Sequence, residues 1–450
     1  MSIQRNRAGA YVELMAKAKA RVIPTTGRVL IPYQAEWGQP NFAVDMADDA
    51  ERLKETGKLV DEVELAAENG ATVVGYRITN EAEKAASHTV ADSHIIEARY
   101  PGKRGEDFEY AIRTSLVDAS KKEIIVRDTK MIYETETYLV ADQADAEEKL
   151  KKSAMVRFKA NGSATLANLD YTPLTGAVSG TATITAAQWS GIFNRVDGLD
   201  FDVFYLPSTD PAIQAACKQW LLDRRTKARR LAQLVVAGEA SKDDDIEAHN
   251  VRSRAMNARF IINCSIAGQH DNEKVYDSVQ WAAWVAGLAA GTPANKSFTG
   301  VRVPMKLAKI DWSHSEVMKG LSEGTLMATR DGYDYIIESA VNTLTSLGPG
   351  EREDFGKIRV SMTMDQILND IYSVGKKMKA RLDNDKDGRG LFIAACLEYL
   401  KIRAKQKAIA EGYTFTESAT KVSDFDFAFF DLYAQPLDAI EAFFINWEVA

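Results

Sequence analysis

The chain has 450 residues, with 56 Lys and Arg against 64 Asp and Glu, and a formal net charge of −8. This length predicts about three domains, and the composition, with 46% hydrophobic and 27% charged residues, argues against a disordered chain. The acidic balance argues against a nucleic-acid binder, and three distant cysteines predict neither a disulfide framework nor a zinc site.

The first residues predict an arm rather than part of a domain. Residues 1–20 hold few large apolar side chains and cannot bury much surface on their own. A helix predicted at 46–68 ends at Asn69-Gly70 and is followed by a strand at 71–78. We therefore assign 1–20 to an N-terminal linking arm and 21–93 to the first part of an α/β core.

Neither a targeting segment nor direct insertion into a membrane is expected. The start of the sequence lacks an apolar core of signal-peptide length. The longest charge-free stretch, Ser278–Asn295, has an apolar part of about half a membrane span, which predicts a buried helix. We expect the protein to be made and folded in a reducing cytoplasm.

Residues 94–175 are rich in β-type sequence. Runs such as HIIEARY, EDFEYAIRTSLV and KEIIVRDT are separated by turn-prone segments, with one acidic helix at about 142–152. This pattern predicts a compact β-rich insertion domain.

From residue 181 onwards, strands and helices alternate. Thr185 and Gln188 are spaced as a capping box that opens a helix. Apolar strands predicted at 201–206, 231–237 and 259–267 are separated by helices, which is typical of an open, largely parallel α/β sheet. We assign this part of the α/β core to 176–350.

The last hundred residues predict a further, C-terminal inner α/β domain at 351–437 and a C-terminal linking strand at 438–450. Helices at about 364–381 and 389–411 flank an acidic turn, and strands are expected at 424–432 and 440–449.

Sequence motifs for catalysis, cofactors and metals are incomplete. Lys296-Ser297 ends a phosphate-loop pattern, but Ala290 and Asn295 replace both glycines. The acidic turn Asp383–Gly388 copies half of a calcium loop, yet Ala394 stands where a bidentate Glu is needed, so a helix start is favoured. We predict a protein that is not an enzyme and has no catalytic, cofactor or metal site.

Histidines do not complete a metal set either. His88 and His94 could face each other across a turn, but no further ligand accompanies them. His249, His270 and His314 lie in polar, loop-like contexts, where we expect solvated side chains.

A basic segment stands out within this acidic protein. Between residues 376 and 407 there are ten Lys and Arg against four acids. Lys401, Arg403, Lys405 and Lys407 alternate, so on a helix they spread over about half the circumference. A solvated face and a surface for an acidic partner both remain open.

Both ends of the chain need partners. The strand expected at the C-terminus carries Ile440, Phe443, Ile445 and Trp447, and an apolar strand left unpaired is an aggregation edge. Strand addition between subunits or pairing within one chain would satisfy both arms.

Several motifs, in this order, resemble those of the contractile phage tail sheath family. Ala8–Glu13, with Tyr11, Val12 and Glu13, is similar to its P-G-V-Y-V-E opening, although Ala8 replaces Pro. Glu36–Pro40 is similar to the family's W-G-P element, and Arg99–Gly105 to its Y-P-G-x-R-G turn, with Glu106 in place of the Asn that usually follows. Val341–Thr345 is similar to its I-N-S-L-T strand. Asn384–Arg389 is similar to its N-N-x-D-G-R turn, and Gln435–Glu441 to its Q-P-V-D-A-M-E segment.

The resemblance implies an open mixed α/β sheath core with a β-rich outward insertion and extended N- and C-terminal β arms. It implies hexameric rings stacked helically around a tail tube protein, linked by arm strands that carry the residues named above at 11–13 and 440–447. It also implies baseplate and tail-terminator partners, and a virion tail assembled in the host cytoplasm. The basic residues Lys401, Arg403, Lys405 and Lys407 are expected to face the tube.

Two other classes of protein stay open at this point. The alternation at 181–345 would also suit a soluble α/β metabolic enzyme. Another structural tail component is the second alternative, although a tube protein would be smaller and would lack the insertion.

Overall fold

The computed structural model describes residues 27–46, 48–379 and 381–447. The strands are β1 Arg28–Tyr33, β2 Ala43–Asp45, β3 Thr72–Arg77, β4 Ser87–Val90, β5 His94–Ala98, β6 Phe108–Thr114, β7 Lys122–Asp128, β8 Glu136–Val140, β9 Val156–Ala160, β10 Leu169–Pro173, β11 Val203–Tyr205, β12 Gln233–Val236, β13 Ile261–Cys264, β14 Gly268–His270, β15 Val275–Tyr276, β16 Arg302–Val303, β17 Met305–Ala308, β18 Thr325–Leu326, β19 Ala328–Asp331, β20 Asp334–Ile337, β21 Thr414–Glu417 and β22 Phe430–Tyr433.

The α-helices are α1 Asp49–Thr56, α2 Asp61–Ala67, α3 Gln143–Leu150, α4 Ala186–Val196, α5 Pro211–Thr226, α6 Ile246–Met256, α7 Ser278–Gly291, α8 His314–Ser322, α9 Ile358–Met378 and α10 Lys386–Lys405. None of those in the described part of the chain combines the length and apolar character that crossing a bilayer requires.

A seven-stranded sheet forms the centre of the larger part of the molecule. Its order is β18-β13-β12-β11-β1-β3-β2, and every pair is parallel except β2 with β3 at the edge. Helices α2 and α7 share one apolar core with this sheet, and α4 and α5 share the other. Both faces are therefore covered, which explains why its central strands are continuous apolar runs. The predicted mixed α/β class is confirmed.

Helix α7 packs closely against α2. A Cβ atom added at Gly287 or Gly291 would lie 2.1 Å from the carbonyl oxygen of Ala66 or Asn69, so only glycine permits this approach. The charge-free stretch is thus the buried helix that the sequence predicts.

The β-rich segment has a core of its own. It forms the antiparallel sheet β10-β6-β7-β8 and, together with the preceding strand β4, the sheet β4-β5-β9, with α3 between β8 and β9. Phe108, Tyr110, Ile124 and Phe158 pack in this core together with Trp37, which precedes the segment by more than fifty residues. The boundaries 94 and 175 remain predictions.

The chain divides into two compact units. One comprises residues 367–437, in which the end of α9, α10 and the hairpin β21–β22 enclose a small core. The other comprises the described residues up to 366 together with 438–447.

Three predicted elements before residue 440 differ from the structure. The helix at 46–68 is two helices, because Gly57 adopts φ +74° and Trp37 packs against it. The strand at 424–432 is shorter, and Val341–Thr345 is an irregular segment with one bridge, from Val341 to Lys357.

Candidate interaction surfaces

Arg77 joins two turns that are distant in the sequence. Its side chain is fully buried and donates to the carbonyl oxygens of Ala35 (2.9 Å), Gly38 (2.7 Å) and Pro101 (3.0 Å). Glu83 supplies the counter-charge at 3.2 Å. Burial lowers the pKa of Arg77, and Glu83 opposes this effect. The arginine thereby fixes the insertion to the central sheet.

Trp37 reinforces this junction. Its indole packs edge-on against Tyr100 and Phe108 and donates to the Tyr133 hydroxyl at 2.8 Å. The Tyr133 hydroxyl donates in turn to the carbonyl of Lys54 at 2.5 Å. The two motifs around residues 37 and 101 are therefore parts of one structural joint.

The acidic turn at 383–388 begins a helix. Asp385 accepts a hydrogen bond from the backbone N–H of Gly388 at 2.7 Å, as an N-cap of α10 does. Within the described ranges, no group of His, Cys, Asp and Glu is arranged to hold a metal ion.

Hairpin β21–β22 presents open edges. The two strands pair only with each other among the described residues, over the register Thr414–Tyr433 to Glu417–Phe430. Phe415 and Phe430 stack on one face and meet Phe392 of α10. Such a sheet is marginal alone and can accept further strands.

The C-terminal segment is exposed. Residues 440–447 form no strand within the single chain, and Ile440, Phe443, Ile445 and Trp447 are 74%, 77%, 86% and 86% exposed. Isolated exposed apolar residues are ordinary, but a consecutive run marks an interaction segment. The predicted pairing of this segment with another subunit stays a prediction, and Tyr11, Val12 and Glu13 lie outside the described residues.

The basic segment is only partly a surface. Lys401, Lys405 and Lys407 are exposed. Arg403 is buried, donates to Asp370 at 2.8 Å and to the Tyr399 hydroxyl at 2.8 Å, and therefore cannot face a partner as expected. Arg403 is buried because it pairs with Asp370 of α9, and no local sequence pattern predicts that the two residues are in contact.

Two histidines expected in solvent are buried. His249 contacts Arg252 within a polar network under β13, and His270 packs on Trp281, whereas His314 is exposed as predicted. His88 and His94 lie on neighbouring strands and both contact the Tyr110 hydroxyl at 2.9 Å.

Some of the principal buried polar contacts could not be predicted from the sequence. Arg77 ends an ordinary strand pattern, and Asp365 of α9 binds Arg225 with both carboxylate oxygens, at 2.6 and 2.7 Å. Their partners come from distant segments of the chain.

Two family models match this chain. The phage tail sheath protein central domain matches residues 182–343, and the phage tail sheath C-terminal domain matches residues 351–450, together more than half of the sequence. The chain belongs to the phage tail sheath family. The motif-based resemblance is thereby confirmed, and the role it supports is that of a structural tail component.

Known relatives match either nearly the whole chain or about half of it. It is 26% identical over 490 residues to the phage-like element PBSX protein XkdK of Bacillus subtilis, covering 99% of this chain and 98% of that one. It is 26% identical over 226 residues to the tail sheath protein of Clostridium phage phiCD119, covering 50% and 58%.

Solved sheath structures share the fold. The sheath tail protein of Desulfitobacterium hafniense superposes with a TM-score of 0.75 at 22% identity, covering 96% of this chain and 97% of that one. That of Listeria innocua gives 0.75 at 20% identity, covering 92% and 96%. A chain of the anti-feeding prophage baseplate, in a six-fold symmetrised structure, gives 0.58 at 10% identity, covering 99% and 100%.

Proposed function

We propose that this protein is a non-enzymatic sheath subunit that polymerises into stacked hexameric rings around an inner tail tube and contracts to drive that tube through a cell envelope. The observation that carries the proposal is an exposed apolar segment, 440–447, in a chain that also holds an open-edged hairpin. The six-fold baseplate neighbour supports rings of six.

Strand addition to hairpin β21–β22 of a neighbouring subunit links the rings in this proposal. The C-terminal segment and the N-terminal arm around Tyr11, Val12 and Glu13 each supply a strand. Each backbone hydrogen bond contributes about 0.5–1.5 kcal/mol net, and burial of Phe443 and Trp447 adds to this. Many such links keep subunits connected while the rings move.

Contraction draws on the assembled lattice rather than on nucleotide hydrolysis. A subunit that packs better in the contracted than in the extended arrangement releases free energy when it changes state. A difference of a few kcal/mol per subunit, summed over many copies, suffices to move a tube.

The exposed Lys401, Lys405 and Lys407 face an acidic band on the tail tube in this proposal. Complementary charge selects the partner and speeds encounter more than it adds affinity. Baseplate and tail-terminator proteins meet the two ends of the sheath, which is assembled in the host cytoplasm and becomes part of the virion.

Two truncations test this assembly model. Deleting residues 443–450 or 1–18 should leave a folded subunit that forms no tubes in negative-stain electron microscopy, because the added strands are gone. The matched control is Leu116→Ser with Val117→Ser, which removes two exposed apolar side chains from the β6–β7 turn and should keep tubes. Normal tubes from both truncations would refute strand linkage.

A further inference from the structure

The exposed C-terminal segment starts from a fixed point. Gln435 to Leu437 hydrogen-bond to Ala408 and Ala410 within the unit 367–437, and the chain then joins the other unit at residue 438. Among the described residues, 442–447 make no hydrogen bonds. Glu441 lies immediately before this unbonded part.

Three donors converge on the Glu441 carboxylate. Thr299 donates to one oxygen at 2.7 Å, whereas Ser339 at 2.9 Å and Lys357 at 2.6 Å donate to the other. The Glu441 side chain is 21% exposed and that of Lys357 is 31% exposed. Three bonds to one charged group hold it far better than a single surface ion pair does.

The donors are themselves held in place. Thr299 accepts from the backbone N–H of Ala340 at 2.9 Å, so its hydroxyl proton is free to point at Glu441. Lys357 also donates to the Ser339 hydroxyl at 2.9 Å, which directs the Ser339 proton to the same carboxylate. These groups come from three separate loops, which together form a socket for one side chain.

We propose that Glu441 is the anchor of the C-terminal arm, and that its socket of Thr299, Ser339 and Lys357 presents residues 443–447 to a second copy of the chain. The inference rests on the proposed strand linkage. A strand with a fixed origin has less conformational entropy to lose on pairing than one on a free tether, so the anchor lowers the cost of polymerisation.

The test combines polymerisation with a local measurement. We expect three variants to fold normally: Glu441→Ala, Lys357→Met and Thr299→Val. Glu441→Ala should raise the critical concentration for tube formation on the order of tenfold, because the charge-assisted hydrogen bonds to the carboxylate are lost. The double variant of Glu441 and Lys357 should be no worse than Glu441→Ala alone, because both changes remove one interaction. Glu134→Ala, at an exposed site in the insertion, is the control.

A spin label gives a readout that does not depend on assembly. Because Cys217, Cys264 and Cys396 are buried, a thiol introduced as Ala442→Cys is the exposed one to label. The label should gain mobility in Glu441→Ala monomers but not in Glu134→Ala monomers. Unchanged mobility would overturn the anchor. If the 443–450 deletion polymerises normally while the label responds, the strand linkage fails and the anchor stands as a structural contact only.

Discussion

Arg77 satisfies three backbone carbonyls that would otherwise be buried without donors. Replacing it by Met removes these bonds and leaves Glu83 without its cation. We expect Arg77→Met to lower the free energy of unfolding by about 3–5 kcal/mol, as for other broken buried ion pairs. Urea denaturation measures this loss, and Arg157→Met, on an exposed position of β9, should change stability by less than about 0.5 kcal/mol.

Two buried histidines make stability depend on pH. Burial lowers the pKa of His94 to about 4, with a smaller contribution from His88, and burial together with Arg252 lowers that of His249 to about 4. Because an unfolded histidine has a pKa near 6.5, the unfolded chain takes up protons first as pH falls. The contribution of the two neutral histidines to the free energy of unfolding is therefore present above about pH 6.5 and is lost progressively as the pH falls to about 4.

The loss should reach about 2 kcal/mol per histidine at pH 5. Urea midpoints at pH 8 and pH 5 measure it, and His94→Gln should remove about half of the histidine-dependent change. The exposed His314 provides the control, since His314→Gln should leave the pH profile as it is. A His94→Gln profile equal to that of the wild type would contradict the assignment.

At the scale of elements, the contact between α2 and α7 depends on glycine. A methyl group at Gly287 would overlap the Ala66 carbonyl, so Gly287→Ala should destabilise the protein by about 1–3 kcal/mol. Gly191 in α4 has nothing closer than 3.7 Å to an added Cβ, and Gly191→Ala should stabilise by about 0.5–1 kcal/mol. Thermal unfolding compares the two, and equal effects would be inconsistent with close packing.

The end of α10 gives a prediction about the tube. Lys401→Glu with Lys405→Glu should weaken co-sedimentation of sheath with tube protein several-fold at low salt, and added salt should weaken the wild type in the same direction. Reversing Lys152 and Lys159, exposed in the insertion, is the matched control. If both double variants bind the tube protein equally well, the basic segment is an ordinary solvated surface.

Local patterns were enough to predict the elements that tertiary contacts do not override. The apolar runs of β12 and β13, the capping box at Thr185 and the buried α7 follow from periodicity and capping. The break at Gly57 does not, because Trp37 and Arg104 pack there from other parts of the chain. The burial of His249 and Arg403 likewise depends on partners that folding brings near.

At the scale of the whole molecule, the open-edged hairpin and the exposed apolar segment both lie C-terminal to residue 413. The α/β core and the insertion are joined rigidly through Arg77 and Trp37, whereas hairpin β21–β22 and residues 442–447 leave backbone groups unpaired within the described chain. The monomer therefore has a packed core, but the backbone groups at these strand edges and in the C-terminal segment have no partners within the described chain. In the proposed assembly, strands from neighbouring subunits would pair with those edges.

A cryo-electron microscopy reconstruction of tubes formed by the 450-residue chain tests this account most directly. We predict six subunits per ring, with residues 443–447 of each subunit paired as a strand with hairpin β21–β22 of a neighbour. Tubes in which this segment folds back onto its own chain, or a protein that stays monomeric at concentrations where sheaths form, would contradict it.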